Sequence, residues 1–302
     1  MKKYFKIIII SFFILALCDY LIGKGLNFYY LKNTSGLLYR TTYSLDSTKA
    51  DILIFGSSRA NHHYNVKIIE DSTNLSAYNT GSDGHYIFYQ TAVLKSVLKR
   101  YTPKKIILDF NGTFEFSQQD YDALSCLLPY YRTHNELKDL IELKSPFEKY
   151  KLFSKIYPFN SLLTTIIIGN LEINKFRSVN KGAYKGFVPL TNTWEYNINI
   201  IDKPEKYNID KHKYNAFNDF IKLCNEKNIP LTIIYSPVYF KYNKDYSIDI
   251  CSEICRKNNV TFLDYSKDTD FLNNKKLFAD TYHLNKSGAQ LFTQKILQFI
   301  KH

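Results

Sequence analysis

Short, wholly apolar runs alternating with amphipathic helical patterns constrain this 302-residue chain more than any other feature. The run Asp51-Ile52-Leu53-Ile54-Phe55-Gly56 ends at a glycine and reads as a strand buried on both faces. A shorter strand is expected around Leu75 to Tyr78. Leu94, Val97, Leu98 and Tyr101 then share one helical face, closed by Pro103, before a second buried strand at Lys105-Ile106-Ile107-Leu108-Asp109-Phe110. The C-terminal third repeats the pattern. Tyr214, Phe217, Ile221 and Cys224 mark a helix, Leu231 to Tyr235 a strand, the region of Cys251 a helix and Val260 to Leu263 a strand. Ala289, Phe292, Ile296, Phe299 and Ile300 line a last helix. Strand and helix in alternation predict an α/β domain, a parallel sheet flanked by helices.

Between about residues 112 and 204 the alternation lapses. Asn135 to Leu143 and Pro146 to Ile156 look helical, and Leu162 to Ile168 is strongly apolar but too short to cross a bilayer. This stretch is expected to be a largely helical insertion, either a lid or groove wall or ordinary packing plus loop.

The first segment bears on the compartment. Lys2, Lys3 and Lys6 precede a run of apolar residues from Ile7 to Ile22 broken only by Ser11, Cys18, Asp19 and Tyr20. The stretch from Tyr4 to Gly23 is long enough for a membrane-spanning helix. Asp19, near its far end, is expected to reach head groups. The lysines keep the N-terminus cytoplasmic and place the rest outside. An uncleaved anchor is preferred to a cleaved signal peptide, because no small-x-small site follows convincingly. It is also preferred to a lipoprotein signal ending at Cys18, because Leu17 stands where a small residue is wanted. Residues 1–25 are thus read as cytoplasmic tip and anchor, 26–49 as a linker and 50–302 as the exported domain, with 112–204 inserted.

The formal charge of +12 admits attraction to phospholipid head groups, an anionic polymer or an acidic glycan. A compositional bias toward Lys, Asn, Ile and Tyr accounts for it more economically. Neither zinc-finger spacing, nor a basic heptad region, nor an aromatic RNA-binding pattern accompanies the charge, so nucleic acid is not the expected partner. Cys126, Cys224, Cys251 and Cys255 could pair in an oxidising compartment, but their spacing selects no pairing. No metal or cofactor is expected; adjacent His62 and His63 point in different directions on a regular element and are assigned no metal.

Three segments carry chemistry. Gly56-Ser57-Ser58-Arg59 follows the first strand, where a small-residue turn exposes a hydroxyl at the ligand-binding edge of a parallel sheet. No Gly-Lys-Ser or Gly-Lys-Thr follows, so it is not a Walker loop. Asp280-Thr281-Tyr282-His283 precedes the last helix, at a spacing that lets the carboxylate hold one ring nitrogen while the other faces a serine. Asn79 to Gly84, with Asn111 after the second long strand, could supply a backbone N–H and a side-chain amide to a developing oxyanion. Arg59 is expected to make an outward salt bridge or to hold an anionic acceptor.

Together these blocks resemble the SGNH (GDSL-like) hydrolase superfamily. Gly56-Ser57-Ser58 resembles its first block with Ser57 replacing the usual Asp, and Asn79 to Gly84 its second. Asn111 falls at the third block's Asn without an intact Gly-x-Asn-Asp, and Asp280 and His283 match the fifth block's Asp-x-x-His. The Gly-Ser-Ser-Arg variant behind an anchor is similar to the branch containing teichoic-acid D-alanine transfer proteins and polysaccharide O-acyltransferases. The resemblance implies a flavodoxin-like three-layer fold, a Ser58–His283–Asp280 triad and an oxyanion hole from Ser58, Gly84 and Asn111. It implies an extracytoplasmic serine esterase or O-acyltransferase acting on an envelope glycan or polymer, with a membrane-embedded acyl donor protein in the transferase case. The alternative is a catalytically silent envelope assembly or glycan-binding factor that keeps the fold.

Overall fold

The computed structural model describes residues 2–171, 182–201, 203, 205–242 and 244–300. They fall into two compact units, residues 2–42 with 121–171, and residues 43–120 with the described residues from 182 onward.

The second unit is the expected three-layer α/β structure. Strands β1 (Ile52–Phe55), β2 (Ala77–Asn79) and β3 (Lys105–Asp109) are followed by a two-residue strand β4 (Asn199–Ile200). Strands β5 (Leu231–Tyr235), β6 (Phe240–Lys241) and β7 (Thr261–Asp264) come next. Five of them form one sheet in the order β2-β1-β3-β5-β7, and every pairing is parallel. β4 and β6 pair separately. All residues of β1, β3 and β5 are buried, which is why the sequence shows continuous apolar runs instead of alternation.

Each face of the sheet has its own helices. Ile52, Ile54, Ile107 and Ile234 pack in one core with Phe292 and Ile296 of the C-terminal helix Lys286–Ile300. The opposite face is covered by the helices Ile87–Arg100 and Lys211–Glu226, where Phe55 meets Phe220 edge-on and Phe110 meets Phe217. Thr91 Oγ1 donates to Ala216 O and ties these two helices together. From β1 the chain passes to β2 on one side and then crosses back past β1 to β3 on the other, so the carboxyl end of β1 lies at the switch point where such sheets bind ligands.

Residues 26–49, expected as a linker, are mostly helical: α1 runs Lys2–Leu31 and α2 Gly36–Asp46. Within the expected insertion, residues 121–171 form short helices, among them Lys138–Glu142, Glu148–Lys151 and Leu163–Asn170, in the unit that includes α1. Residues 184–194 belong to the α/β unit. Lys185 O accepts from Asn79 N, Val188 N donates to Asn61 O, and Trp194 N donates to Phe278 O. α1 is long and apolar enough to cross a membrane. All five cysteines are free thiols, and all but Cys18 are buried.

Candidate active site

The carboxyl end of β1 turns sharply at Gly56, which has a φ of +147°. A Cβ there would stand 2.6 Å from Ala60 Cβ and 2.9 Å from Asp109 Cβ, so the turn demands glycine on both counts. The turn delivers Ser58 as the first residue of a six-residue helix, α3 (Ser58–His63).

The loop before the C-terminal helix supplies the partners. His283 Nε2 lies 2.7 Å from Ser58 Oγ, and His283 Nδ1 lies 2.9 Å and 2.8 Å from the two Asp280 oxygens. A carboxylate cannot donate, so Nδ1 carries the proton and Nε2 accepts from the serine hydroxyl. Asp280 Oδ1 also accepts from the amides of Tyr282 and His283. Burial by itself would raise the Asp280 carboxyl, but the His283 hydrogen bond and charge, with those two amides, hold it below the usual carboxylate range. Asp280 is therefore anionic at neutral pH, oriented to stabilise an imidazolium.

Gly84 sits in the loop after β2 at a φ of +70°, with open space where a Cβ would stand. That loop is fastened to the turn that carries Ser58, since Ser82 N donates to Gly56 O and Asn79 Nδ2 to Ala60 O. Asn61 Nδ2 donates to Asp83 Oδ1 beside it. Asn111, half-buried after β3, lines a small cleft with Tyr86 and Phe110. Among the described residues no hydrogen bond joins Gly84 or Asn111 to Ser58, His283 or Asp280. The structure thus brings Ser58, His283 and Asp280 into direct contact and places Gly84 on a loop fixed to the same turn.

Arg59 is neither outward nor at an acceptor position. It is fully buried, its Nε 3.2 Å from Asp109 Oδ1, and its guanidinium lies 4.1 Å from the centre of the Tyr235 ring. The residue directly after Ser58 is thus an anchor beneath the candidate site.

The two adjacent histidines do point apart, and both support the site. His62 Nδ1 donates to Val188 O, and its ring packs edge-on to His283 with centroids 5.5 Å apart. His63 is fully buried, and its Nε2 accepts from the amide of Leu284, next to His283. Nδ1 therefore carries the proton and donates to Ser236 Oγ after β5. The sequence showed a pair of histidines but not that one would brace the loop of a third; that contact spans 221 positions.

Burial, followed by the neighbouring His283, Arg59 and His62 charges, pushes His63 well below the ordinary histidine range. A folded-state value below the unfolded one, about 6.5, means that His63 contributes stability fully present above that pH and lost as pH falls below it. The melting temperature should therefore drop between pH 7.5 and pH 5.5, and His63→Gln should flatten that drop while lowering kcat about 10- to 100-fold through the displaced Leu284 amide. An unchanged pH slope in His63→Gln would remove His63 from this role.

No family model matches the chain, and no curated protein matches it. Among solved structures similar to it is the esterase EstA of Pseudoalteromonas sp., in a structure inhibited by monoethylphosphonate. It is 12% identical over 83% of this chain and 96% of that one, with a TM-score of 0.43. A Bacteroides fragilis protein assigned as an acylhydrolase is 11% identical over 90% and 100%, with a TM-score of 0.42. A protein from Streptococcus pneumonia assigned as platelet activating factor is 12% identical over 96% and 99%, with a TM-score of 0.40.

Proposed function

We propose that the chain is a membrane-anchored, extracytoplasmic serine esterase or O-acyltransferase that handles acyl groups of a cell-envelope glycan or polymer. One observation carries the chemistry: an unbroken hydrogen-bonded line from Ser58 Oγ through His283 to Asp280. Ser58 Oγ attacks the acyl carbonyl while His283 Nε2 takes its proton, and Asp280 steadies the imidazolium. The oxyanion is met by the N–H groups of Ser58 and Gly84 and by the Asn111 amide, each such donor supplying about 3 kcal/mol of transition-state stabilisation. Collapse of the tetrahedral intermediate expels the alcohol, which takes the proton back from His283, and leaves an acyl-enzyme. Water or a sugar hydroxyl then accepts the acyl group.

The anchor and its direction rest on the apolar α1 and on Lys2, Lys3 and Lys6 before it. Retention of α1 is supported by its own packing, since Asp19 and Tyr30 are hydrogen-bonded partners of residues 154–156 and 130. The envelope substrate rests on the resemblance of Gly56-Ser57-Ser58-Arg59 to the O-acyltransferase branch.

The test is labelling of the full-length protein with a fluorophosphonate probe, together with turnover of p-nitrophenyl acetate. Both should occur and both should vanish in Ser58→Ala. A folded protein that neither labels nor turns over the ester favours the silent assembly factor, the reading that the incomplete third block motivates. Release of free acid from an acylated glycan without transfer to an added acceptor decides for the esterase.

A further inference from the structure

We propose that the unit formed by α1 and residues 121–171 rests on the outer membrane-water interface and holds the phosphate head group of an anionic phospholipid in a cavity lined by Lys24, Arg132 and Lys155. The inference relies on the anchor reading above.

Asp19, an awkward residue for a membrane helix, is not left to the head groups. Its carboxylate accepts from Ser154 Oγ at 2.5 Å and from the amides of Lys155 and Ile156 at 2.6 and 3.3 Å. The turn 154–156 therefore stands at the level of Asp19 on α1. One turn further, Gly23 presses against Lys155 so closely that a Cβ would come within 2.3 Å of Lys155 Cβ. Tyr30, buried, donates to the Tyr130 hydroxyl at 3.0 Å. These contacts fix the height of the helical unit along the membrane normal.

At that height the unit shows two properties. Phe153, immediately before the gripping turn, is 78% exposed, and Phe147 and Tyr150 just upstream are 66% and 57% exposed. A soluble surface seldom presents three such aromatics in seven consecutive positions, whereas interfacial surfaces do.

Directly beyond lies a cavity of about 250 Å³ between α1 and the short helices, with Leu128, Leu152 and Phe159 as apolar wall and Lys24, Arg132 and Lys155 as charged lining. Arg132 is oriented by donating to the carbonyl oxygens of Leu152 and Phe153. Burial and then the Arg132 and Lys24 charges push the Lys155 ammonium below its ordinary range, with Tyr20 and Asp19 acting the other way. Lys155 is thus repelled by Arg132 and Lys24 across an apolar-walled space, and the single negative charge of Asp19, which acts on both Arg132 and Lys155, leaves the three cations with a net positive charge. An anion relieves that repulsion, and a guanidinium with two ammonium groups suits a phosphate. The adjoining apolar wall and the interfacial height commit the phosphate to a lipid.

The test uses the full-length protein in a neutral detergent with phosphatidylglycerol or phosphatidylcholine, and native mass spectrometry of the lipid retained. Phosphatidylglycerol should be retained at least about tenfold more than phosphatidylcholine, with the preference weakening as salt rises. It should disappear in the Lys24→Gln, Arg132→Gln, Lys155→Gln variant and persist in Lys149→Gln, Lys151→Gln, which leaves the cavity lining intact. Lys155→Gln alone, a milder change, should give an intermediate preference should the triple variant unfold. Equal retention of both lipids, or a preference indifferent to Lys155→Gln, overturns the proposal. Complete displacement of the lipid by excess inorganic phosphate also overturns it, as the mark of a free-anion site. Loss of the full-length chain from membranes during carbonate extraction would instead defeat the anchor reading, with lipid retention in detergent reporting separately on the cavity.

Discussion

His283→Ala is expected to lose on the order of 10⁵ to 10⁶ in kcat toward p-nitrophenyl acetate, with little change in substrate KM. His283 Nε2 is the acceptor on the Ser58 hydroxyl, and without it the serine meets the ester at its free acidity. Ser58→Ala should cost about as much, and the double variant no more than either single one, since the two act as a unit. Asp280→Asn should cost less, on the order of 10⁴. Its amide can turn an N–H toward Nδ1 and favour the tautomer that points a proton at Ser58, while the Tyr282 and His283 amides still hold the loop. Multiplicative losses in the double variant, or His283→Ala within tenfold of the parent, would place the chemistry elsewhere.

The grading of these effects follows from how the site is built, and the same construction decides what could be read in advance. Ser58 and the Asp280-x-x-His283 pair were legible because each is a local pattern beside a strand or helix whose apolar period is strong. The five-stranded sheet was legible for the same reason: β1, β3 and β5 are buried on both faces and so carry unbroken apolar runs. The bracing around them was not. His63 reaches the Leu284 amide, and Arg59 reaches Ser236 O across 177 positions; no local spacing encodes either. Residues 26–49 were expected as a linker leading into the domain, and their apolar residues are mixed with Asn, Thr and Ser. Tertiary packing overrides that weak local signal: Leu38 and Leu45 of α2 are buried, and the Arg100 guanidinium donates to the carbonyl oxygens of Ser44, Leu45 and Thr48.

The stability of the turn that carries Ser58 should depend most steeply on the buried pair beneath it. Arg59 and Asp109 are both fully buried, and each is held by further partners. Arg59 Nη2 donates to Phe110 O at 2.5 Å and Nη1 to Ser236 O at 3.4 Å, while Tyr64 OH donates to Asp109 Oδ2 at 2.7 Å. Burial would lower the Arg59 pKa, but Asp109, then Tyr235 and Tyr64, outweigh it and keep the guanidinium charged. Asp109→Asn removes one charge from a dry site and strands the other, which should cost about 3–5 kcal/mol of unfolding free energy. Arg59→Met should cost a similar amount by stranding the carboxylate, and should lower kcat as well because Arg59 is covalently next to Ser58. Arg59→Met combined with Asp109→Asn leaves no orphaned charge, so its loss should fall well short of the sum of the single losses. Denaturant unfolding of the four proteins at one salt concentration supplies the cycle. Additive losses would mean that the two groups are held independently, and that the Ser58 turn owes its rigidity to Gly56 and the sheet alone.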